Sequence, residues 1–334
     1  MKSSKQRIVD FILNNKAVFI AVIMAVIIGS IEPLFFTTAN MFNVLRQICS
    51  NVILAVGFTF VLGLGEIDLS IGAVVGLNGV IMAKLMTQAN CPIWLSILAG
   101  VACGALTGVI NSSVISALSI PPFIVTLATQ SVFRGVVYVI TKMAPISTLP
   151  EAFNNIGQGY VGSVPIPVII MVVVVVVGYF VANYTVFGRH VIACGSSMDA
   201  AKACGINTKR VRMGVFVMTG ICAALASIVT TSRAASAQVS AGLNAEQDVI
   251  AAVVIGGTAM SGGNMNPIGT VFGCLIVGMI TNAMNLMGVN SNYQVVAKGL
   301  LILLALVIDR VSAMVYENTA RKQALKDREE KQKA

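Results

Sequence analysis

Four carboxylates stand out in a chain with only 13 acidic residues: Glu66 and Asp68 at one place, Glu246 and Asp248 at another, each pair separated by one residue. All four border or enter apolar sequence, where an unpaired charge is costly, so they are candidates for a solute path or for coupling to an ion. Gln130, Arg134, Asn282 and Asn285 are polar residues in similar surroundings and complete the set of path candidates. A structural role competes with that reading, because a carboxylate at the start of a helix stabilises its exposed N–H groups and Arg134 can pair with one of the acids. Asp68 and Asp248 fit such a cap or ion-pair role best. Catalysis has little to work with. His190 is the only histidine, so neither a His-based triad nor a relay of several imidazoles can be built. The seven cysteines contain no CxxC spacing and lie mostly in apolar runs, where a thiol behaves as a small hydrophobe. No catalytic residue, metal site or disulfide framework is expected.

The elements that must position these residues follow from composition. Of 334 residues, 57% are apolar and 10% charged, against roughly 25% charged residues in an average soluble domain. At about 20 apolar residues per crossing, that supplies roughly eight to ten membrane helices. The sequence predicts an all-α, polytopic membrane protein forming one transmembrane domain over residues 1–334. The run from Ala17 to Ile31, continued by Leu34, Phe35 and Phe36, is long for the core of a secretory signal and is assigned as the first span. Further apolar segments fall at 43–64, 69–87, 92–117, 121–142, 165–183, 213–232, 248–261, 267–287 and 294–309, giving ten.

Charge placement orients them. The net charge is +9, and sixteen of the 22 basic residues fall in three places: Lys2, Lys5, Arg7 and Lys16; Arg189, Lys202, Lys209, Arg210 and Arg212; and the stretch from Arg310 to Lys333. The positive-inside rule makes these cytoplasmic segments rather than a nucleic-acid surface. The expected cytoplasmic parts are residues 1–16, the loop 184–212 and the tail 310–334. An even number of spans returns the C-terminus to the side of the N-terminus.

Glycines at small-residue spacing, such as Gly72 and Gly76, Gly100, Gly104 and Gly108, and Gly269 and Gly273, predict close helix packing. The two Glu-x-Asp pairs lie 180 residues apart, each followed by a matching valine and glycine: Val74 and Gly76, then Val254 and Gly256. If each opens a short helix, they mark an inverted repeat of helices 2–5 against 7–10.

The most distinctive loop is Phe187 to Asn207. A short helix from Met198 to Cys204 is expected there, capped by Ser197, with Asp199 in its first turn and Gly205 ending it. A helix capped at both ends in the longest basic loop is a surface suited to being gripped, with Ala200 and Ala201 as its small face.

The pattern GR-x-x-x-A-x-G-x-x-x-x-A-A-x-x-x-GIN over Gly188 to Asn207, with GEIDLSIGA (Gly65 to Ala73) and DVIAAVVIGGTAMSGG (Asp248 to Gly263), resembles the permease subunits of ribose-type sugar ATP-binding-cassette importers. The resemblance runs from Asn43 through NLMGVNSNYQ (Asn285 to Gln294) to Lys298, Gly299, Asp309 and Arg310. It implies a bacterial inner-membrane permease with both termini cytoplasmic, paired with a second identical or different permease. Its further partners would be two ATPase subunits, which bind the ATP and Mg, an external sugar-binding protein and membrane lipid. The cargo would be a ribose-like pentose or a hexose. No cofactor is expected on this chain, since Gly256 to Gly263 lacks the Lys-Ser/Thr of a phosphate-binding loop. The resemblance assigns ATPase coupling to Gly188, Arg189, Gly195, Ser197, Asp199, Ala200, Ala201, Gly205, Ile206 and Asn207. Glu66 departs from the family's usual Gly-Gly-Ile-Asp and adds a carboxylate. The alternative is an ion- or proton-coupled transporter acting without an ATPase and using the four carboxylates.

Overall fold

A computed structural model describes residues 16–290, 292–300, 302–304 and 307. Lys2, Lys5, Arg7 and the basic tail from Arg310 lie outside the described residues. Helix α1 spans Lys16–Ile31 and a 3-10 turn Pro33–Phe36 leads into α2, Thr38–Gly63. Then follow α3 (Ile71–Thr87), α4 (Ile93–Leu118), α5 (Pro122–Thr141) and α6 (Glu151–Gln158). A small hairpin, β1 (Tyr160–Val161) with β2 (Val164–Pro165), precedes α7 (Ile166–Tyr184), α8 (Val186–Ser196), α9 (Met198–Ala203) and α10 (Thr208–Arg233). The remainder is α11 (Ala245–Ile255), α12 (Pro267–Leu286) and a helical stretch over 292–300.

Six of these helices, α2, α4, α5, α7, α10 and α12, are long and apolar enough to cross a membrane. The Val-rich run of α7 shows why they are helices: in water such β-branched sequence favours strands, but in lipid each backbone polar group must be satisfied within the segment. Val172, Val173, Val176 and Val177 face outward while Gly178 packs on Val56. Proline at the first or second position of α5, α7 and α12 starts a helix where the missing N–H costs nothing.

Helices α2, α10 and α12 form the buried centre, whereas α4, α5 and α7 keep most of their surface exposed. The centre closes by backbone contact. Gly104 of α4 and Gly220 of α10 lie against each other's carbonyls, and Gly108 lies against that of Phe216. Gly273 of α12 abuts the Ala252 carbonyl of α11 in the same way. Polar side chains add register: the Thr59 and Thr270 hydroxyls are 2.9 Å apart, and Thr219 donates to the Gly57 carbonyl at 3.2 Å.

Two expectations need correction. The segment 248–261 is not helical throughout; α11 ends at Ile255, and the chain then turns through Gly257, Gly262 and Gly263, all at positive φ. The loop 184–212 is not a loop around one short helix but largely helical, since α8 precedes α9 and α10 begins at Thr208.

Candidate functional site

At one end of the bundle, α8 meets the end of α2, and α9 packs on α8 and α10. Gly195 of α8 lies against the Gly63 carbonyl, which accepts a hydrogen bond from the Gly263 N–H at 2.9 Å. Thr185 caps α8 by accepting from the Gly188 N–H at 3.1 Å, and Gly188 itself is buried against carbonyls of α7. Ser197 caps α9 by accepting from the Ala200 N–H at 3.2 Å, and Asn207 caps α10 by accepting from the Arg210 N–H at 3.1 Å. Gly205 has φ +81° with open space where a side chain would stand. Its requirement for glycine is therefore conformational and not steric.

The outward surface of this assembly carries Arg189, Ser197, Asp199, Ala200, Gly205 and Asn207, with Ile206 half-buried. Asp199 pairs with Lys202 at 3.6 Å on the surface. Ala200 and Ala201 do not form one small face: Ala201 is buried and Ala200 exposed, because successive helical residues point about 100° apart.

The path candidates separate into distinct contacts. Glu66 lies in the irregular stretch between α2 and α3, where its Oε1 accepts from Nε and Nη2 of Arg212, both at 2.6 Å. Arg212 also donates to the Ser116 hydroxyl at 3.1 Å, tying α10 to α4. Asp68 accepts from the Ser70 N–H at 2.8 Å and hydroxyl at 2.6 Å, a local turn that opens α3, and Asn111 donates to the same hydroxyl at 2.9 Å. Thr126 of α5 stitches this stretch, accepting from the Leu69 N–H at 3.1 Å.

Glu246 and Asp248 sit inside the first turn of α11, so the two Glu-x-Asp pairs do not open their helices in the same way. Gln130 donates to Glu246 at 2.9 Å. Among the described residues Arg134 pairs with no acid: its guanidinium donates to the carbonyls of Val239, Ala241 and Gly72, holding the non-helical approach to α11 against the start of α3. Gly72 leaves no room for a side chain beside the Gly242 carbonyl and the Glu246 carboxylate. Asp248 takes its ion-pair role with Lys298 at 2.8 Å.

Asn282 and Asn40 form a reciprocal amide pair, each donating to the other at 2.9 Å, and Asn285 accepts from Gln294 at 2.8 Å. Asn282 is buried. Among the described residues no group of three His, Cys, Asp or Glu side chains is arranged to hold a metal.

Sequence reasoning missed Arg212 and Lys298 as partners. Lys298 carries the same signal as Asp248, a charge inside an apolar run, and opposite signs in two such runs are a pairing clue. Arg212 was hidden among the loop cations, one residue before an apolar segment.

A family model described as branched-chain amino acid transport system, permease component, matches residues 40–306. Among curated proteins, the chain is similar to the ribose import permease protein of Haemophilus influenzae, 38% identical over 312 residues covering 92% of this chain and 96% of that protein. It is 40% identical over 304 residues to the ribose import permease protein of Bacillus subtilis, covering 90% and 94%. The D-allose transport system permease protein of Escherichia coli is 35% identical over 294 residues, covering 88% and 90%. No solved structure matches the chain significantly.

Proposed function

The chain belongs to the branched-chain amino acid transport permease family, and from that premise we propose that it is the membrane subunit of an ATP-driven importer carrying a monosaccharide. The relatives named for ribose import and D-allose transport supply the cargo class. An external binding protein delivers the sugar, ATP and Mg bind to separate ATPase subunits, and a second permease copy or paralogue completes the passage. This chain is the translocation component and carries no catalytic residue.

The observation that supports coupling to an ATPase is the α8–α9 pair. It presents exposed small and charged residues outward, while its inner side is anchored on Gly63, the end of a central helix. A push on α9 is thereby delivered to α2 and, through Arg212 and Glu66, to the break before α3. Rigid-body transmission of that kind needs capped, short elements and not a free loop. Gly188, Arg189, Gly195, Ser197, Asp199, Ala200, Ala201, Gly205, Ile206 and Asn207 are the residues of this coupling segment, with Ala201 as an anchor.

The finer topology in this reading is ten spans, with both termini, the 184–212 segment and the 310–334 tail on the cytoplasmic side of a bacterial inner membrane. An inverted repeat of spans 2–5 against spans 7–10, in which α10 is span seven and α12 span nine, is supported by an exchange of packing partners. Helix α4 packs on α10 through Gly104 and Gly220, and α12 packs on α2 through Thr270 and Thr59.

Uptake measured in proteoliposomes, with and without the ATPase, tests the function. ATP-dependent accumulation of sugar is expected, and accumulation driven by an ion gradient without the ATPase would overturn it. For the coupling segment, Gly205→Val is expected to lower both uptake and stimulated ATP hydrolysis severalfold at normal membrane levels, with Gly205→Asn closer to the parent because asparagine tolerates positive φ. Equal, undiminished coupling in Gly205→Val and Ala200→Pro would remove the docking role.

A further inference from the structure

Beside the first turn of α11 lies a cavity of about 240 Å³ bounded by Leu243, Asn244, Gln247, Asp248, Gln294, Val295 and Lys298. It is smaller than the ~300–1,000 Å³ sites that hold drug-sized ligands, a size suited to a small solute. Its depth is fixed by neighbours. Gln130 and Arg134, midway along the spanning helix α5, contact Glu246 and the chain just before Leu243, so the cavity lies near the level of the bundle's middle. Here α11 begins after a non-helical stretch from 234 to 244, and backbone of that kind at membrane depth persists where protein or a water-filled cavity satisfies it. Interrupted helices of this type place solute sites in many transporters.

The lining chemistry is specific. Asp248 and Lys298 neutralise each other at 2.8 Å, leaving the carboxylate's other oxygen and the remaining ammonium hydrogens without a net charge to attract an ion. The side chains of Gln247 and Asn244 make no hydrogen bond among the described residues, and both are exposed to the cavity. The amide group of Gln294 is anchored by Asn285 and the Val289 carbonyl, which fixes the orientation of its free oxygen. The amides of Asn244 and Gln247 can each donate and accept, as a hydroxyl does, and Gln294 offers its oxygen as an acceptor, while Leu243 and Val295 offer apolar surface to C–H groups.

We propose that this cavity is a waypoint for a neutral, polyhydroxylated solute, whose hydroxyls exchange hydrogen bonds with Asn244, Gln247, Gln294 and the Asp248–Lys298 pair. It rests on the sugar-import reading above and assigns that reading a place of contact. A paired charge also suits a brief stop: hydroxyls can bridge the pair without separating it, so the solute is held weakly enough to leave.

The test is uptake of labelled D-ribose, D-xylose, D-allose and L-leucine by the complete importer in proteoliposomes, comparing the parent with Gln247→Leu, Gln247→Asn and Asn244→Gly. Neither parent side chain makes a hydrogen bond among the described residues, and glycine accepts the φ of +60° that Asn244 adopts, so these variants leave the packing of α11 in place; co-purification with the ATPase checks assembly. The expected result is a roughly three- to tenfold fall in the maximal rate of sugar uptake for Gln247→Leu. The ratio of the three sugars should change, the binding protein's half-saturating concentration should not, and Gln247→Asn should recover part of the rate. Parent sugar uptake with rates and ratios unchanged in all three variants would overturn the waypoint and leave the import function standing. Leucine uptake with no sugar uptake by the parent would overturn both.

Discussion

Glu66 and Glu246 each direct one carboxylate oxygen to a partner and bury the other without one, yet they belong to different kinds of site. Glu66 stands outside a helix and faces a guanidinium that also reaches across to α4; Glu246 stands inside a helix and faces a neutral amide. Their companion aspartates are reversed. Asp68 is satisfied within its own turn, whereas Asp248 reaches Lys298, fifty residues further along the chain. Each region therefore has one acid in an ion pair and one in neutral hydrogen bonds, with the roles exchanged between Glu and Asp. The first region puts its charge pair beside the α8–α9 pair, and the second puts it at the wall of a polar cavity. Similar sequence has been used once to hold elements together and once to make room.

The largest test of that contrast is Arg212→Ala. It leaves the buried Glu66 without its counter-charge and should cost about 3–5 kcal/mol, read from urea unfolding in detergent micelles followed by circular dichroism. Lys298→Ala should cost much less, since Lys298 is 27% exposed and its partner is open to a cavity. Comparable losses in the two variants would erase the distinction.

An intermediate effect separates the glutamates. Glu66→Gln weakens a charge-assisted bond and should destabilise by about 1.5–3 kcal/mol. Glu246→Gln keeps an oxygen for Gln130 and should change stability by about 1 kcal/mol or less. Thermal unfolding of the two purified variants side by side checks the order, and the reverse order would show that burial outweighs partner charge.

The smallest effect sharpens the picture of the first region alone. Thr126→Val preserves shape but removes the acceptor for the Leu69 N–H, a stitch for which Glu246 and Asp248 have no need inside a helix. A loss of about 0.5–1.5 kcal/mol is expected, with faster hydrogen exchange confined to the stretch before α3. Unchanged exchange there would mean that Asp68 and Ser70 hold the turn unaided.

Much of this arrangement was legible in the chain because lipid simplifies the problem. Long apolar runs must become helices, and Ser197, Asp199 and Gly205 announce a capped element wherever they stand. What stayed hidden were pairings between residues far apart in sequence, which hydropathy does not encode: Arg212 reads as one more loop cation, and Asn40 and Asn111 as incidental amides. The eighth apolar segment failed differently. Its Gly-rich second half is apolar enough to suggest a helix, but Gly256 packs on the backbone of Gly269, and three glycines beyond it adopt positive φ. Side-chain hydropathy reports what is buried, not which backbone conformation buries it.

The reciprocal amides of Asn40 and Asn282 have a consequence in time. The two residues are 242 positions apart, so at about 5–20 residues per second a ribosome takes roughly 12–50 seconds to supply the second after the first. One hydrogen of the Asn40 amide is spoken for at once, because the Phe35 carbonyl five residues earlier accepts it at 2.9 Å. The carbonyl oxygen has no such early partner, and α2 must spend that interval beside water, lipid headgroups or an insertion chaperone. When α12 arrives, the exchange of amides closes the bundle on its first central helix, and a late event in synthesis completes one of the earliest segments made.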